Sequence, residues 1–183
     1  MIDFKSFLEI KDLIDTNKIN AIELVNDVTN KLETVGRSLN AVRFVFKEFA
    51  IERAKKLLEK QEQELPLNCI PLAHKELFQR LQKNGIGWPN EGGSRSREGL
   101  KSDKTAKVIS LLDKAGSIDC GRLVSVEYAF GVTGHNNYAG TPKNPWNRDY
   151  VCGGSSSGSA AVVAAGLVPA AFCLLYTSDA ADE

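Results

Sequence analysis

The sequence predicts an α/β fold, and three neighbouring segments carry this prediction. A short apolar run at 69–73, Cys-Ile-Pro-Leu-Ala, has the length of a buried strand. Residues 105–115 show a helical pattern with Val108 and Leu111 on one face, and a second short strand is expected at 118–120. The order strand, helix, strand is typical of two parallel strands joined by a crossover helix.

Three helices and one strand are predicted before this unit. Apolar residues recur at helical spacing over 7–14 and over 22–32, and the second helix is expected to end near Gly36. A third helix is predicted from about residue 47 to residue 64, where dense charge indicates a largely solvated face. Residues 41–46 are β-branched and aromatic enough for a short strand.

Composition and charge are those of an ordinary globular protein. The chain has 183 residues, 43% of them hydrophobic, and a formal net charge of zero. The absence of a long lysine or arginine run argues against direct nucleic-acid binding, while contact with RNA through a partner protein stays open. No apolar segment reaches the roughly 18 residues that a membrane span needs, and no secretion signal is evident. We therefore expect a cytoplasmic protein.

Cysteine and histidine usage predicts no metal site. The four cysteines form no Cys-x-x-Cys pair, and a cytoplasmic location favours reduced thiols. Only two histidines are present, His74 and His135, which leaves little material for a metal centre or a histidine-based triad.

A glycine- and serine-rich stretch at 151–171 is the most distinctive part of the chain. Gly153 and Gly154 lead into three serines, and an Ala/Val run follows Ser159. This pattern predicts a tight turn that presents hydroxyls and N–H groups at the start of a buried helix. A flexible linker is the alternative, but linkers are rarely fused to an apolar helix. The long loop predicted at 131–154 has a length typical of functional loops.

Lys75 is the first candidate for chemistry. It follows an apolar strand, so partial desolvation would favour the neutral amine, which can act as a general base. Alternatively, the side chain reaches water from the strand end. The serines of the turn could relay protons, as in serine–lysine variants of the hydrolase triad. A phosphate-binding loop is weakly supported, because Ser159 and Ala160 stand where a P-loop has lysine.

Four stretches, in order and spacing, resemble the amidase signature family. They are Pro71–Phe78 (PLAHKELF), Thr133–Asn136 (TGHN), Asn144–Trp146 (NPW) and Gly153–Ala161 (GGSSSGSAA). The resemblance covers roughly residues 1–172. It implies an α/β/α fold with a mixed central sheet, of which this chain is expected to be the N-terminal part.

The resemblance implies a Ser–cis-Ser–Lys triad without a metal or organic cofactor. Lys75 matches the family's base and Ser155 its bridging serine, preceded by a cis Gly154–Ser155 bond. The other serines, Ser156, Ser157 and Ser159, are expected to hold the turn through hydrogen bonds. Glu76 stands where many members have aspartate, and Arg122 lies where a lysine is often seen.

The last residues, 173–183, resemble a translated sequencing-library adapter, so we predict a native part at 1–172 and a non-native tail at 173–183. The family's Gly-Thr-Asp-x-Gly-Gly-Ser motif would begin at Cys173, and its nucleophilic serine would fall on Asp179. The chain as written is therefore expected to be inactive.

The intact protein is expected to be an amidase that hydrolyses small carboxylic amides through an acyl-enzyme. Two alternatives stay open: an A-type amidotransferase subunit that works on misacylated tRNA with partner proteins, and a truncated, non-catalytic binding module. His74 beside the lysine favours a stand-alone amidase. No direct nucleic-acid contact and no membrane span are expected, and homodimerisation is left open.

Overall fold

Four strands form one mixed sheet within residues 5–59 and 65–174, the part of the chain that the computed structural model describes. The strand order is β1-β3-β2-β4, with β2 parallel to both of its neighbours and β1 antiparallel to β3. The strands are β1 (Val42–Val45), β2 (Pro71–Lys75), β3 (Ile118–Leu123) and β4 (Ala171–Phe172). This arrangement confirms the predicted α/β class and mixed sheet.

The α-helices of the described residues are α1 (Phe7–Asp15), α2 (Ala21–Lys31), α3 (Lys47–Glu59), α4 (Lys107–Lys114) and α5 (Ser157–Ala164). Short 3₁₀ turns occupy Arg95–Arg97 and Glu127–Ala129. Helix α4 connects the parallel strands β2 and β3, so the predicted crossover unit is confirmed. None of the helices within these residues is long and apolar enough to cross a membrane.

The first two helices begin at the polar caps that their sequences provide. Ser6 and Glu9 form a reciprocal capping box at α1, and the Asn20 side chain accepts backbone N–H groups at α2. Helix α2 continues into a π turn at Leu32–Gly36. The helix predicted over 47–64 is observed as α3, and residues 60–64 lie outside the described residues.

Strand β2 is shifted by two residues from the predicted strand. It begins at Pro71 and ends at Lys75, whereas the prediction was 69–73. Cys69 has a positive φ of 55° and its N–H donates to Gly116 O at 3.0 Å, so the chain is still turning there. Pairing with β3 then runs from Pro71 to Lys75. This shift makes Lys75 the last residue of a buried strand instead of a residue beyond it.

The face predicted for α4 is wrong at Leu111. That side chain is 52% exposed, whereas Ile109 is fully buried. Apolar residues occupy several consecutive positions of this short helix, so periodicity alone does not decide which of them meets the core.

The core lies between the sheet and the helices that contact it. Helices α2 and α3 contact each other and β3, while α5 contacts β2 and β4. The buried apolar side chains include Leu24 and Val28 of α2, Ile118 of β3 and Val162 of α5. Each fully buried aliphatic side chain contributes about 1.5–3 kcal/mol relative to an exposed one.

Helix α5 approaches the sheet closely because its second residue is glycine. The N–H of Gly158 donates to Val124 O at 2.9 Å, and a Cβ on Gly158 would lie 2.4 Å from Ala41 O. Only glycine fits this approach without moving backbone. The contact fixes the start of α5, and with it the serine turn, at the end of β3.

Candidate active site

Lys75 and Ser155 lie in hydrogen-bond contact in the interior of the protein. Lys75 is 0% exposed at the end of β2, and its Nζ donates to Ser155 Oγ at 2.6 Å. Burial lowers the pKa of Lys75 from 10.5 to about 8 because water no longer solvates the ammonium. The arrangement can therefore supply a neutral amine next to a serine hydroxyl from about pH 8 upward, well below the range of an ordinary lysine.

The turn before α5 places Ser155 by backbone contacts. The Gly154–Ser155 peptide bond is cis, as the resemblance implied, and the Ser155 carbonyl accepts the Val126 N–H at 3.0 Å. A Cβ on Gly154 would lie 2.7 Å from Gly131 O and 2.8 Å from Gly134 N. The glycine at this position therefore lets two loops pack against each other directly beside the hydroxyl.

The neighbouring serines do not hold the turn as expected. Ser156 Oγ lies 3.3 Å from both the N and the O of Leu174, and Ser159 Oγ donates to Phe172 O at 3.5 Å. Ser157 Oγ is buried without a hydrogen-bond partner among the described residues. Ser159 thus bonds to β4 and Ser156 to Leu174 just beyond it, because α5 and β4 are neighbours.

His74 also contacts β4, at Phe172. Its Nδ1 accepts the Phe172 N–H at 3.4 Å, and the two rings meet edge to face with centroids 5.9 Å apart. The segment beyond Phe172 begins near the site, since Cys173 lies close enough to Lys75 to raise its pKa against the larger effect of burial. Position 179, where the resemblance puts the nucleophile, lies outside the described residues.

A buried charged cluster supports the strands from the side of β3. Asp119 accepts hydrogen bonds from Arg80 at 2.8 Å and from Arg122 at 2.7 Å, and both guanidinium groups lie over the Trp88 ring. Burial alone would raise the pKa of Asp119, but the two arginines bring it well below its ordinary value.

The same cluster influences the pKa of His74. Burial, with Arg122 and Arg80 nearby, lowers the pKa of His74 to about 4, so its imidazole is neutral and Nδ1 can accept a hydrogen bond. The sequence singled out Arg122 only as a departure from the family pattern. No spacing in the sequence indicates the cluster, because its members come from separate parts of the chain.

An open cavity of about 600 Å³ lies among the loops that follow β3 and the turn at Arg95. Its lining includes Arg95, Val126, Glu127, Phe130, His135 and Tyr138. Val126 connects the cavity to the site through its hydrogen bond to the Ser155 carbonyl. Within the described residues, no group of three or more histidine, cysteine, aspartate or glutamate side chains is arranged to hold a metal ion.

Comparison of the sequence with known proteins finds a family model and relatives of one kind. A family model described as Amidase matches residues 23–173. The A subunit of the glutamyl-tRNA(Gln) amidotransferase of Cupriavidus metallidurans is 36% identical over 168 residues, and its counterpart in Aromatoleum aromaticum is also 36% identical. Each alignment covers 91% of this chain but only 32% and 33% of the relatives, so the chain spans about a third of their length.

Solved structures of amidases share the fold. A bacterial aryl acylamidase of the amidase signature family matches with a TM-score of 0.83 at 31% identity, covering 93% of this chain and 35% of that one. The 6-aminohexanoate cyclic dimer hydrolase matches with a TM-score of 0.81 at 26% identity, covering 91% of this chain and 33% of that one. The chain belongs to the Amidase family, the amidase signature enzymes.

Proposed function

We propose that the protein is an amide hydrolase in which Lys75 is the base and Ser155 relays the proton. The observation that carries this proposal is the 2.6 Å hydrogen bond between Lys75 Nζ and Ser155 Oγ in a buried site. The nucleophile would be a serine on the native segment that follows β4, because β4 pairs with β2, the strand that ends at Lys75, and is bonded through Phe172 to His74 and Ser159.

In the proposed reaction, proton transfer runs from the nucleophilic serine through Ser155 to Lys75. The neutral Lys75 amine takes the proton of Ser155, and Ser155 takes the proton of the nucleophilic serine as that oxygen attacks the amide carbonyl. Return of the proton to the leaving nitrogen releases ammonia or an amine and leaves an acyl-enzyme. Water then attacks the ester through the same relay, which releases the carboxylic acid and restores the serine. No step uses a metal or organic cofactor.

Removal of either group tests the proposal in the full-length gene product. Lys75→Ala and Ser155→Ala should each lower kcat for a simple amide by about 100-fold or more, because the attacking hydroxyl loses its base. Lys104→Ala and Ser38→Ala, which alter exposed side chains, serve as controls. Rates close to wild type for Lys75→Ala or Ser155→Ala would reject the assignment.

An A-type amidotransferase subunit is the second candidate, and it is favoured by the 36% identity to such proteins. It would share the relay but pass the ammonia to misacylated tRNA in a complex with partner proteins. The two functions differ in a simple assay: a purified full-length protein that turns over small amides without partners supports the stand-alone amidase. Turnover that requires partner proteins and tRNA supports the alternative.

The boundary predicted at residue 172, the non-catalytic module and the cytoplasmic location all stay predictions. Sequencing the genomic locus across codon 173 tests the boundary. A reading frame that continues into a Gly-Thr-Asp-x-Gly-Gly-Ser motif would support an active enzyme. A frame that continues into the Tyr-Thr-Ser-Asp sequence at 176–179 would favour the binding module.

A further inference from the structure

The cavity beside Ser155 has a charged group that the proposed proton relay does not use. The cavity measures about 600 Å³, and its lining includes Arg95, Val126 and Phe130. Val126 belongs to this lining, and its N–H donates to the Ser155 carbonyl at 3.0 Å, so one lining residue directly contacts the turn that carries Ser155. The size of the cavity suits a small organic substrate.

Hydrogen bonds hold the turn that carries Arg95 against this cavity. Ser94 Oγ donates to Glu127 Oε1 at 2.6 Å, and the Ser96 and Tyr128 hydroxyls lie 2.5 Å apart. These two bonds, from the residues before and after Arg95, join its turn to the 3₁₀ turn at Glu127–Ala129. The position of Arg95 is therefore built into the loops, although its side chain is exposed.

A second set of hydrogen bonds holds Asn136, another residue of the lining. Asn136 donates from Nδ2 to Gly93 O and to Ser125 O, both at 2.8 Å. Its Oδ1 accepts the N–H groups of Tyr138 and Ala139 at 2.9 and 2.7 Å. One buried amide thus joins the segment before Arg95 to the loop that carries the remaining lining residues.

Arg95 differs from the neighbouring arginines in having no ion pair or side-chain hydrogen bond with any described residue. Arg43 pairs with Glu91, and Arg97 donates to Asn90 O at 3.4 Å. Glu127, the acidic residue of the lining, already accepts the Ser94 hydroxyl. The Arg95 guanidinium therefore has donors that no described residue occupies and that a ligand can use.

We propose that Arg95 selects amides whose non-reacting end carries a carboxylate. A guanidinium offers two parallel N–H donors that match the two oxygens of a carboxylate, and the pair is stronger than a neutral hydrogen bond. The apolar side chains of Val126 and Phe130 suit the methylene groups between the carboxylate and the amide. This inference rests on the proposed function, since it names the substrate class of the same site.

A matched pair of substrates tests the inference in the full-length gene product. Succinamate carries a carboxylate, and 4-methylpentanamide replaces that carboxylate by an isopropyl group of similar shape. Arg95→Gln should lower the ratio of kcat/KM for succinamate to that for 4-methylpentanamide by about tenfold. Arg95→Lys should lower it less, because the charge is kept and the two-pronged geometry is lost. Arg97→Gln, in the same turn, should leave the ratio unchanged.

The outcomes separate this inference from the proposed function. An unchanged ratio in Arg95→Gln would overturn the role of Arg95 while leaving the relay intact. If the wild-type protein hydrolyses neither amide, the proposed function fails, and calorimetric titration with succinamate then tests Arg95 by itself. Binding about tenfold weaker in Arg95→Gln than in wild type would support the contact; equal binding, or none in wild type, would overturn it.

Discussion

At the scale of single residues, burial gives Lys75 its chemical character. The side chain is out of contact with water, and this lowers its pKa to about 8. The sequence predicted the candidate pair, Lys75 and Ser155, from a strand-end lysine and a resemblance. It could not predict that the strand extends through Lys75, because the turn at Cys69 depends on a contact with Gly116 from a distant segment.

Substitution of Gly154 tests the packing of the two loops beside Ser155. Gly154→Ala places a Cβ 2.7 Å from Gly131 O and 2.8 Å from Gly134 N, so one of the two loops must move. We expect the free energy of unfolding to fall by about 1–3 kcal/mol and kcat to fall at least about tenfold, because the Ser155 hydroxyl is displaced. Urea denaturation and amide hydrolysis measure the two effects.

The exposed Ala160 lies in α5, the helix that follows the turn of Gly154, and provides a control for the Gly154 substitution. Ala160→Ser should leave both stability and turnover near wild type. A Gly154→Ala protein with wild-type values for both would show that the loops tolerate a Cβ there.

At the scale of elements, the buried charged cluster connects β3 to the loop after β2. Asp119 of β3 forms ion pairs with Arg80 of that loop and with Arg122 of its own strand. Arg80 forms a further ion pair with Asp113 of α4. Hydrophobic periodicity places the strands but gives no information about such a cluster, since the partners are brought together only by the fold.

Asp119→Asn should destabilise the protein strongly. The substitution leaves two buried guanidinium groups without their shared carboxylate, and the expected loss in free energy of unfolding is about 3–5 kcal/mol. Asp113→Asn is the matched control, because the Asp113 carboxylate is partly exposed and pairs only with Arg80 among the described residues; a loss of about 1 kcal/mol or less is expected. Equal losses in the two variants, measured by chemical denaturation, would contradict the assigned difference.

Substitution of His74 tests its hydrogen bond to Phe172 of β4. His74→Phe keeps an aromatic ring but removes the acceptor of the Phe172 N–H, so hydrogen exchange of that amide should accelerate by about tenfold. His74→Asn places an oxygen near the position of Nδ1 and should keep most of the protection. Mass-spectrometric hydrogen exchange on the peptide containing Phe172 measures the difference, and identical exchange in all three proteins would exclude the contact.

At the scale of the whole molecule, the parts of the site come from segments far apart in the sequence. Lys75, the proposed base, comes from β2, and Ser155, the proposed relay, comes from the turn before α5, 80 residues later. The resemblance joined these two segments because their motifs are specific. The Arg95 cavity was not predicted, because its shape depends on loop-to-loop bonds such as those of Asn136, which leave no periodic pattern in the sequence.

The pH dependence of kcat/KM in the full-length gene product tests the central claim, that Lys75 acts as a neutral base. Burial lowers the pKa of Lys75, so the active, deprotonated form is lost as the pH falls below about 8. We expect kcat/KM for a neutral amide to rise with pH to a plateau, with a midpoint near 8. A midpoint near 10.5, the ordinary value for lysine, or a rate independent of pH across this range would contradict the account.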